Sequence, residues 1–124
     1  WGEVILTAFL LLGIFAITDE YNEMAPRANS GALMIGLLVA AIGASGGYLE
    51  GWPINPARDF GPRLFATFTG WGSSALPGAG FYFWVPIAGP FVGGLVGAGL
   101  YHFAIKPYLR PDAKTETASE TGAE

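Results

Sequence analysis

Three stretches of this chain contain no Asp, Glu, Lys or Arg: residues 4–18, 28–49 and 64–105. Charge is confined to short runs between and beyond them. A helix on the surface of a water-soluble domain needs a charged or polar stripe along its length, and these stretches lack one. Long uncharged segments punctuated by charged turns are the pattern of spans in hydrocarbon with connections in water. The pattern predicts apolar helices over 2–18, 31–45 and 82–105. The first ends at Asp19, Glu20 and the polar run Tyr21–Asn29. The second follows Asn29 and Ser30, both suited to an N-cap, and stops at the Gly46-Gly47 pair. The third carries Tyr82 and Trp84 at one end and Tyr101, His102 and Tyr108 at the other, as interfacial aromatic belts do. A crossing takes roughly 17–25 residues, so the first two spans are expected to draw on their flanks.

Small residues recur in register along two of these segments. Ala32, Gly36, Ala40 and Ala44 fall on one face of the second, and Gly89, Gly93 and Gly97 on one face of the third. Without a hydrophobic drive between helices in lipid, such faces let backbones approach closely. Both are expected to be packing faces.

The interval between the second and third spans is too long for a turn. Within it, Asn55-Pro56 is a helix start, with Asn as N-cap and Pro at the first helical position. The helix that follows would be about 12 residues, too short to cross a bilayer. A short apolar helix after an irregular stretch describes a re-entrant loop with its half-helix, over about 46–68. Irregular backbone at membrane depth survives only where protein buries it or it lines a watery cavity.

Composition agrees. Charged residues are 13% of the chain and hydrophobic ones 52%, with mean hydropathy +0.42; soluble domains carry about 25% charge. The net charge of −4 gives no support to nucleic-acid binding. With no cysteine there is no disulfide framework or thiolate site. Nothing has the makings of an enzyme: no nucleophile with a base, no phosphate-cradling glycine loop, no metal constellation and no cofactor motif. The Asp19–Asn29 loop and the C-terminal tail are separated by two spans and so share a side, which holds Arg27, Lys106, Arg110 and Lys114. The positive-inside tendency makes that side cytoplasmic. Residues 111–124, rich in Thr, Ser, Glu and Ala, are expected to be a disordered cytoplasmic tail.

The run Gly51-Trp52-Pro53-Ile54-Asn55-Pro56-Ala57-Arg58-Asp59-Phe60-Gly61-Pro62-Arg63 resembles the second signature loop of the aquaporin, or major intrinsic protein, superfamily, in its glycerol-facilitator branch. Glu3 with Thr7, Ile42-Gly43-Ala44-Ser45, and Val85-Pro86-Ile87 with Gly89-Pro90 extend the likeness over residues 1–110. Asp59, Arg63, Pro86-Ile87 and a glycine at 43, where water-selective members usually place histidine, match the glycerol-conducting pattern. Trp52 stands where that branch usually has Phe or Tyr. The resemblance implies an all-α membrane fold: three transmembrane helices plus one re-entrant half-helix, the second of two inverted repeats. It also implies passive passage of glycerol, small polyols, urea and water, a homotetramer when complete, a cell (inner) membrane, and an N-terminal half that this chain lacks.

On that reading Asn55, Pro56 and Ala57 form the pore motif, with Asn55 capping the half-helix and presenting its amide. Arg58, Trp52 and Gly43 form the selectivity filter. An extended stretch, Gly51, Trp52, Pro53 and Ile54, lines the wall with carbonyls. Glu3 braces the loop by accepting backbone N–H bonds, and Asp59 steadies it by pairing with its neighbour Arg58. The residues alone leave other roles open: a lipid-headgroup anchor for Arg58, an interfacial anchor for Trp52, and a protonated or interfacial state for Glu3. His102 reads as interfacial. A water-selective channel narrowed by Trp52, an ion-coupled transporter with a broken helix and a non-conducting membrane subunit are the other functions open to such a chain.

Overall fold

A computed structural model describes residues 1–109; Arg110 and the tail expected over 111–124 lie outside the described residues. Among the described residues the secondary structure is helical, with no strand. Helix α1 runs Gly2–Thr18, where the hydrophobic pattern predicts it. It stops at Asp19, whose extended backbone (φ −74°, ψ 125°) cannot continue a helix. The chain is then held by local bonds: Asp19 Oδ1 accepts from Tyr21 N–H at 3.0 Å, and Asn22 Nδ2 donates to Ala16 O at 2.8 Å.

Helix α2 spans Gly31–Glu50, so the expected end at residue 45 is corrected. The Gly46-Gly47 pair does not break it, because both glycines are packing positions. A Cβ at Gly46 would lie 2.5 Å from Leu6 Cδ2, and one at Gly47 2.9 Å from Trp52 Cε3. The helix ends instead where Gly51 turns left-handed (φ 80°) and donates its N–H to Gly47 O at 2.7 Å. At the other end Ser30, one of the two expected N-caps, takes the N-cap position but makes no side-chain capping bond. Asn29 is left-handed at φ 63°, and the Ser30 hydroxyl donates backwards to Arg27 O at 2.6 Å.

The half-helix α3, Pro56–Ala66, has 11 residues. At 1.5 Å per residue it is about 16 Å long, roughly half of a hydrocarbon core. It runs into a wide turn, Thr67–Trp71, broken at Gly70 (φ 107°). Helix α4, Val85–Leu100, is entered through 3₁₀ turns at Ala79–Trp84 and continues through a wide turn, Tyr101–Ile105, into Lys106–Leu109. The third span is therefore one nearly continuous rod. Pro86 is tolerated in its first turn; Pro90, inside the helix, removes one backbone donor, and both prolines are buried.

α1 is the central element, packed most extensively on α4 and then on α2. The expected glycine face of α4 forms the first contact. A Cβ on Gly89 would lie 2.5 Å from Glu3 Cβ; one on Gly93 would lie 2.9 Å from Thr7 Cβ and run into the Val4 carbonyl, and one on Gly97 would strike the Ala8 carbonyl. The small-residue face of α2 does not behave as expected. Ala32, Gly36, Ala40 and Ala44 are exposed, and a Cβ on Gly36 meets nothing within 4 Å. α2 contacts α1 through another face: Ile42 and Gly46 are buried, and Leu38 sits where a side chain at Gly13 would be.

The surface is apolar. Leu33, Leu37, Phe65, Phe68, Leu95 and Phe103 are exposed, while Glu3, Thr7 and Asp19 are buried. Water-soluble monomers rarely expose apolar patches this large. Gly31–Glu50 and Ala79–Leu109 are each long and apolar enough to cross a bilayer.

Candidate functional site

The residues singled out from sequence meet where the end of α2, the start of α3 and the start of α1 converge. Asn55 has an extended backbone, and its Oδ1 accepts from Ala57 N–H at 3.0 Å and Arg58 N–H at 3.2 Å. Two of the four donors left free at a helix start are thereby satisfied. Pro56 takes the first helical position, where its missing N–H costs nothing. Asn55, Ala57 and Arg58 are exposed on the open side of the helix assembly.

The stretch before Asn55 is not extended, which corrects the sequence expectation. Gly51, Trp52 and Ile54 have φ of 80°, 41° and 42°. Left-handed conformations at Trp and Ile are strained by about 1–3 kcal/mol each and persist only when their surroundings over-determine them. Two contacts do so here. The Trp52 indole lies flat in a groove of α2 opened by two missing side chains: a Cβ at Gly43 would be 2.8 Å from its Cε2, and one at Gly47 2.9 Å from its Cε3. Ile54 is buried, and its N–H donates to Glu3 Oε2 at 2.8 Å. Glu3, fully buried in α1, thus braces the loop through one backbone bond. Pro53 is buried between the two strained residues.

Arg58 follows one turn into α3, with its guanidinium 5.5 Å from the Trp52 ring centroid. Gly43, Trp52 and Arg58 are therefore in one file: helix groove, indole, cation. The ring face holds the guanidinium by cation–π attraction and leaves its donors open to whatever occupies the adjacent space. Asp59 does not pair with Arg58. Adjacent helical residues do not face each other, whereas residues four apart do. Asp59 instead grips Arg63, with Nε to Oδ2 at 2.6 Å and Nη2 to Oδ1 at 3.3 Å. Arg63 also lies 5.8 Å from the Tyr82 ring centroid. The pair fastens α3 to the turns that lead into α4 and leaves Arg58 to its own side.

A second polar cluster, not anticipated from sequence, joins the far ends of α1 and α4. The Tyr101 hydroxyl, buried, donates to Asp19 Oδ2 at 2.8 Å, and Lys106 Nζ stands 3.4 Å from the same oxygen. The Tyr21 N–H above all, then the Tyr101 hydroxyl and the Lys106 charge, hold the Asp19 carboxyl below its usual value despite burial. His102 packs edge-on against Phe15, ring centroids 4.9 Å apart, and against Tyr101 at 5.9 Å. The signal for this cluster was present: Asp19 closes the first span and Lys106 follows the third, so both lie at one end of the bundle. Among the described residues no group of His, Asp and Glu is arranged to hold a metal ion.

The residue pattern is shared with known proteins. The model of the major intrinsic protein family matches residues 1–101. The glycerol uptake facilitator protein of Escherichia coli (strain K12) is 46% identical over 121 residues, covering 96% of this chain and 43% of its own length. The propanediol uptake facilitator PduF of Citrobacter freundii is 48% identical over 105 residues, covering 83% of this chain and 39% of its own. Aquaporin-10 of Milnesium tardigradum is 40% identical over 115 residues, 83% of this chain and 28% of its own. The chain thus spans less than half the length of these relatives.

Proposed function

This chain belongs to the major intrinsic protein family of integral membrane proteins, and we propose that it forms the second-repeat wall of a channel passing glycerol and other small uncharged solutes, with water, down their gradients. The observation that carries the proposal is the file of Gly43, Trp52 and Arg58 beside a capped half-helix. A linear polyol has hydroxyls along one side and C–H along the other. Arg58 donors and the carbonyls of Gly51–Ile54 suit the hydroxyl side; the indole of Trp52 suits the C–H side. The half-helix presents its positive end, and the Asn55 amide, to the pore centre, which disfavours cations and protons there. Recession of Trp52 into the groove at Gly43 and Gly47 supports a polyol-wide slot over one narrowed to water. The names of two relatives, facilitators of glycerol and propanediol uptake, point the same way.

In the complete protein a first repeat, with its own half-helix, supplies the opposite wall, and four such subunits assemble, each with its pore. Glycerol, small polyols, urea and water are the permeants. The Asp19–Asn29 loop and the C-terminus face the cytoplasm, with the cell membrane as the site of action. Nothing in this mechanism requires a cofactor, a metal or nucleic acid. The test is light scattering from vesicles carrying the complete reading frame in a glycerol gradient. Rapid, non-saturating reswelling with glycerol, and none with ions or larger sugars, is expected. Rapid shrinkage without reswelling would instead identify a water channel, and saturable, ion-dependent uptake a transporter. No change over empty vesicles would leave a membrane subunit without a conducting role.

A further inference from the structure

Two arginines and one aspartate fall within residues 58–63 of the half-helix, which leaves one positive charge in excess. Asp59 lies in the first turn of α3, and its N–H donates to Asn55 O at 3.2 Å. Its carboxyl is only 11% exposed and is gripped from one turn further on by Arg63, with Nε to Oδ2 at 2.6 Å and Nη2 to Oδ1 at 3.3 Å. The Arg63 guanidinium is boxed in on its other sides. The Tyr82 ring centroid stands 5.8 Å from it, and a Cβ at Gly78 would lie 3.6 Å from its Nη1. Arg58 has no such box. It is exposed beside Trp52, and neither ion pair among the described residues includes it.

A bare carboxylate in the first turn would oppose the positive end of the half-helix. Asp59 is four residues beyond Asn55, about 6 Å along the axis, inside the roughly 8 Å over which salt screens a charge. Unpaired, it would offset Arg58 as well, and the start of α3 would be close to neutral. Paired, it becomes one end of a tight dipole, whose field fades with distance faster than that of a single charge. We propose that Arg63 is a charge-compensating residue for the channel: it cancels Asp59, so that Arg58 and the positive end of α3 stand unopposed as a barrier to cations. The proposal rests on the channel reading and adds the residue that sets its selectivity against ions. The same pair also clasps α3 to the turns before α4, and the two roles separate by symmetry. A clasp fails alike whichever partner is removed. Charge compensation does not: loss of Arg63 bares a carboxylate, whereas loss of the Asp59 charge bares none.

The experiment uses the complete reading frame in vesicles, as wild type, Arg63→Gln, Asp59→Asn, the double variant carrying both, and Arg63→Lys. Glycerol reswelling shows which samples are folded and open. Potassium release, and internal pH after an external pH step, read ion leak against empty vesicles. Arg63→Gln is expected to leak about tenfold faster than wild type, as a unit charge roughly 8 Å from the ion's path would cause at an effective dielectric constant of about 20 with some salt screening. Asp59→Asn, the double variant and Arg63→Lys, which keeps the charge without the fork, are expected to leak no faster than wild type. Equal leak from Asp59→Asn and Arg63→Gln, or leak that persists in the double variant, makes the pair a clasp alone and overturns the proposal. An Arg63→Gln channel that passes glycerol but no more ions than wild type overturns it too. Should Arg63→Gln pass no glycerol, the double variant decides: recovered flux assigns the fault to the bared carboxylate, and continued failure assigns it to the lost clasp and overturns the proposal. A wild type that passes no glycerol ends the channel reading and this proposal together, whereas the other adverse outcomes remove the proposal alone.

Discussion

At the scale of single residues, the site is a set of constraints on one short backbone segment. The Asn55 oxygen caps α3, and the channel proposed above gives its nitrogen a second, separable job, facing the pore. Asn55→Ala should cost about 1 kcal/mol through loss of the cap, read as a lower unfolding temperature of the complete protein in detergent. Asn55→Asp keeps the capping oxygen and removes the amide donor, so it should hold stability near wild type while glycerol flux drops. Glu3→Ala leaves the Ile54 N–H buried without an acceptor, at about 1–3 kcal/mol, and the same melting measurement reads it. Gly43→Ala tests the proposed filter from behind. Its methyl would sit 2.8 Å from the Trp52 ring, so the indole must move off α2 towards the pore. Glycerol flux should then fall more than water flux. An equal fall in both would mean that Trp52 does not set the width. The Asn55 cap could be read from sequence because the capping rule is a local argument, whereas the bond from Ile54 to Glu3 was implied only by the family resemblance. The left-handed turn at Trp52 and Ile54 could not be read there, since it is imposed by tertiary contacts with α1 and α2.

At the scale of elements, hydrophobic pattern located the helices well and their ends less well. α1 matches its predicted bounds because Asp19 and Glu20 end it in both chemistry and conformation. α2 overran its predicted end because glycine in a membrane helix is a contact surface as often as a stop, and nothing local tells the two apart. The same limit explains the two small-residue faces. Spacing identifies a face able to pack closely without saying which neighbour takes it. On α4 the neighbour is α1, and a side chain at Gly93 would meet the Val4 carbonyl and Thr7. Gly93→Leu should therefore separate α1 from α4, where overpacking typically costs about 1–3 kcal/mol and rigid backbone atoms put this case at the upper end. The expected readout is loss of the monodisperse peak in size-exclusion chromatography. Gly99, on the same helix with nothing within 4 Å of its Cβ position, is the control, and Gly99→Ala should leave that peak intact.

At the scale of the whole molecule, the two polar clusters lie at different depths along α1 and do different work. The one at Glu3 holds the loop that leads into α3. The one at Asp19 ties the end of α1 to the end of the α4 rod, across an otherwise apolar contact that lipid does not drive together. Asp19 accepts from Tyr21 N–H and the Tyr101 hydroxyl and faces Lys106, and these partners hold its carboxyl below the ordinary value of 3.8. A carboxyl held low in the folded state contributes stability that is complete above its unfolded value and is lost as pH falls through the folded one. Above 3.8 the cluster should therefore be fully formed, and acid below that value should weaken it. Asp19→Asn removes the charge and cannot titrate, so it should melt lower than wild type at neutral pH and lose less on acidification. Thermal unfolding of both proteins across that acid range gives the comparison. Parallel acid curves would mean that other carboxyls carry the acid sensitivity. Convergence of the two curves would place it at the ion pair of Asp19 with Lys106, which joins the end of α1 to the end of the α4 rod.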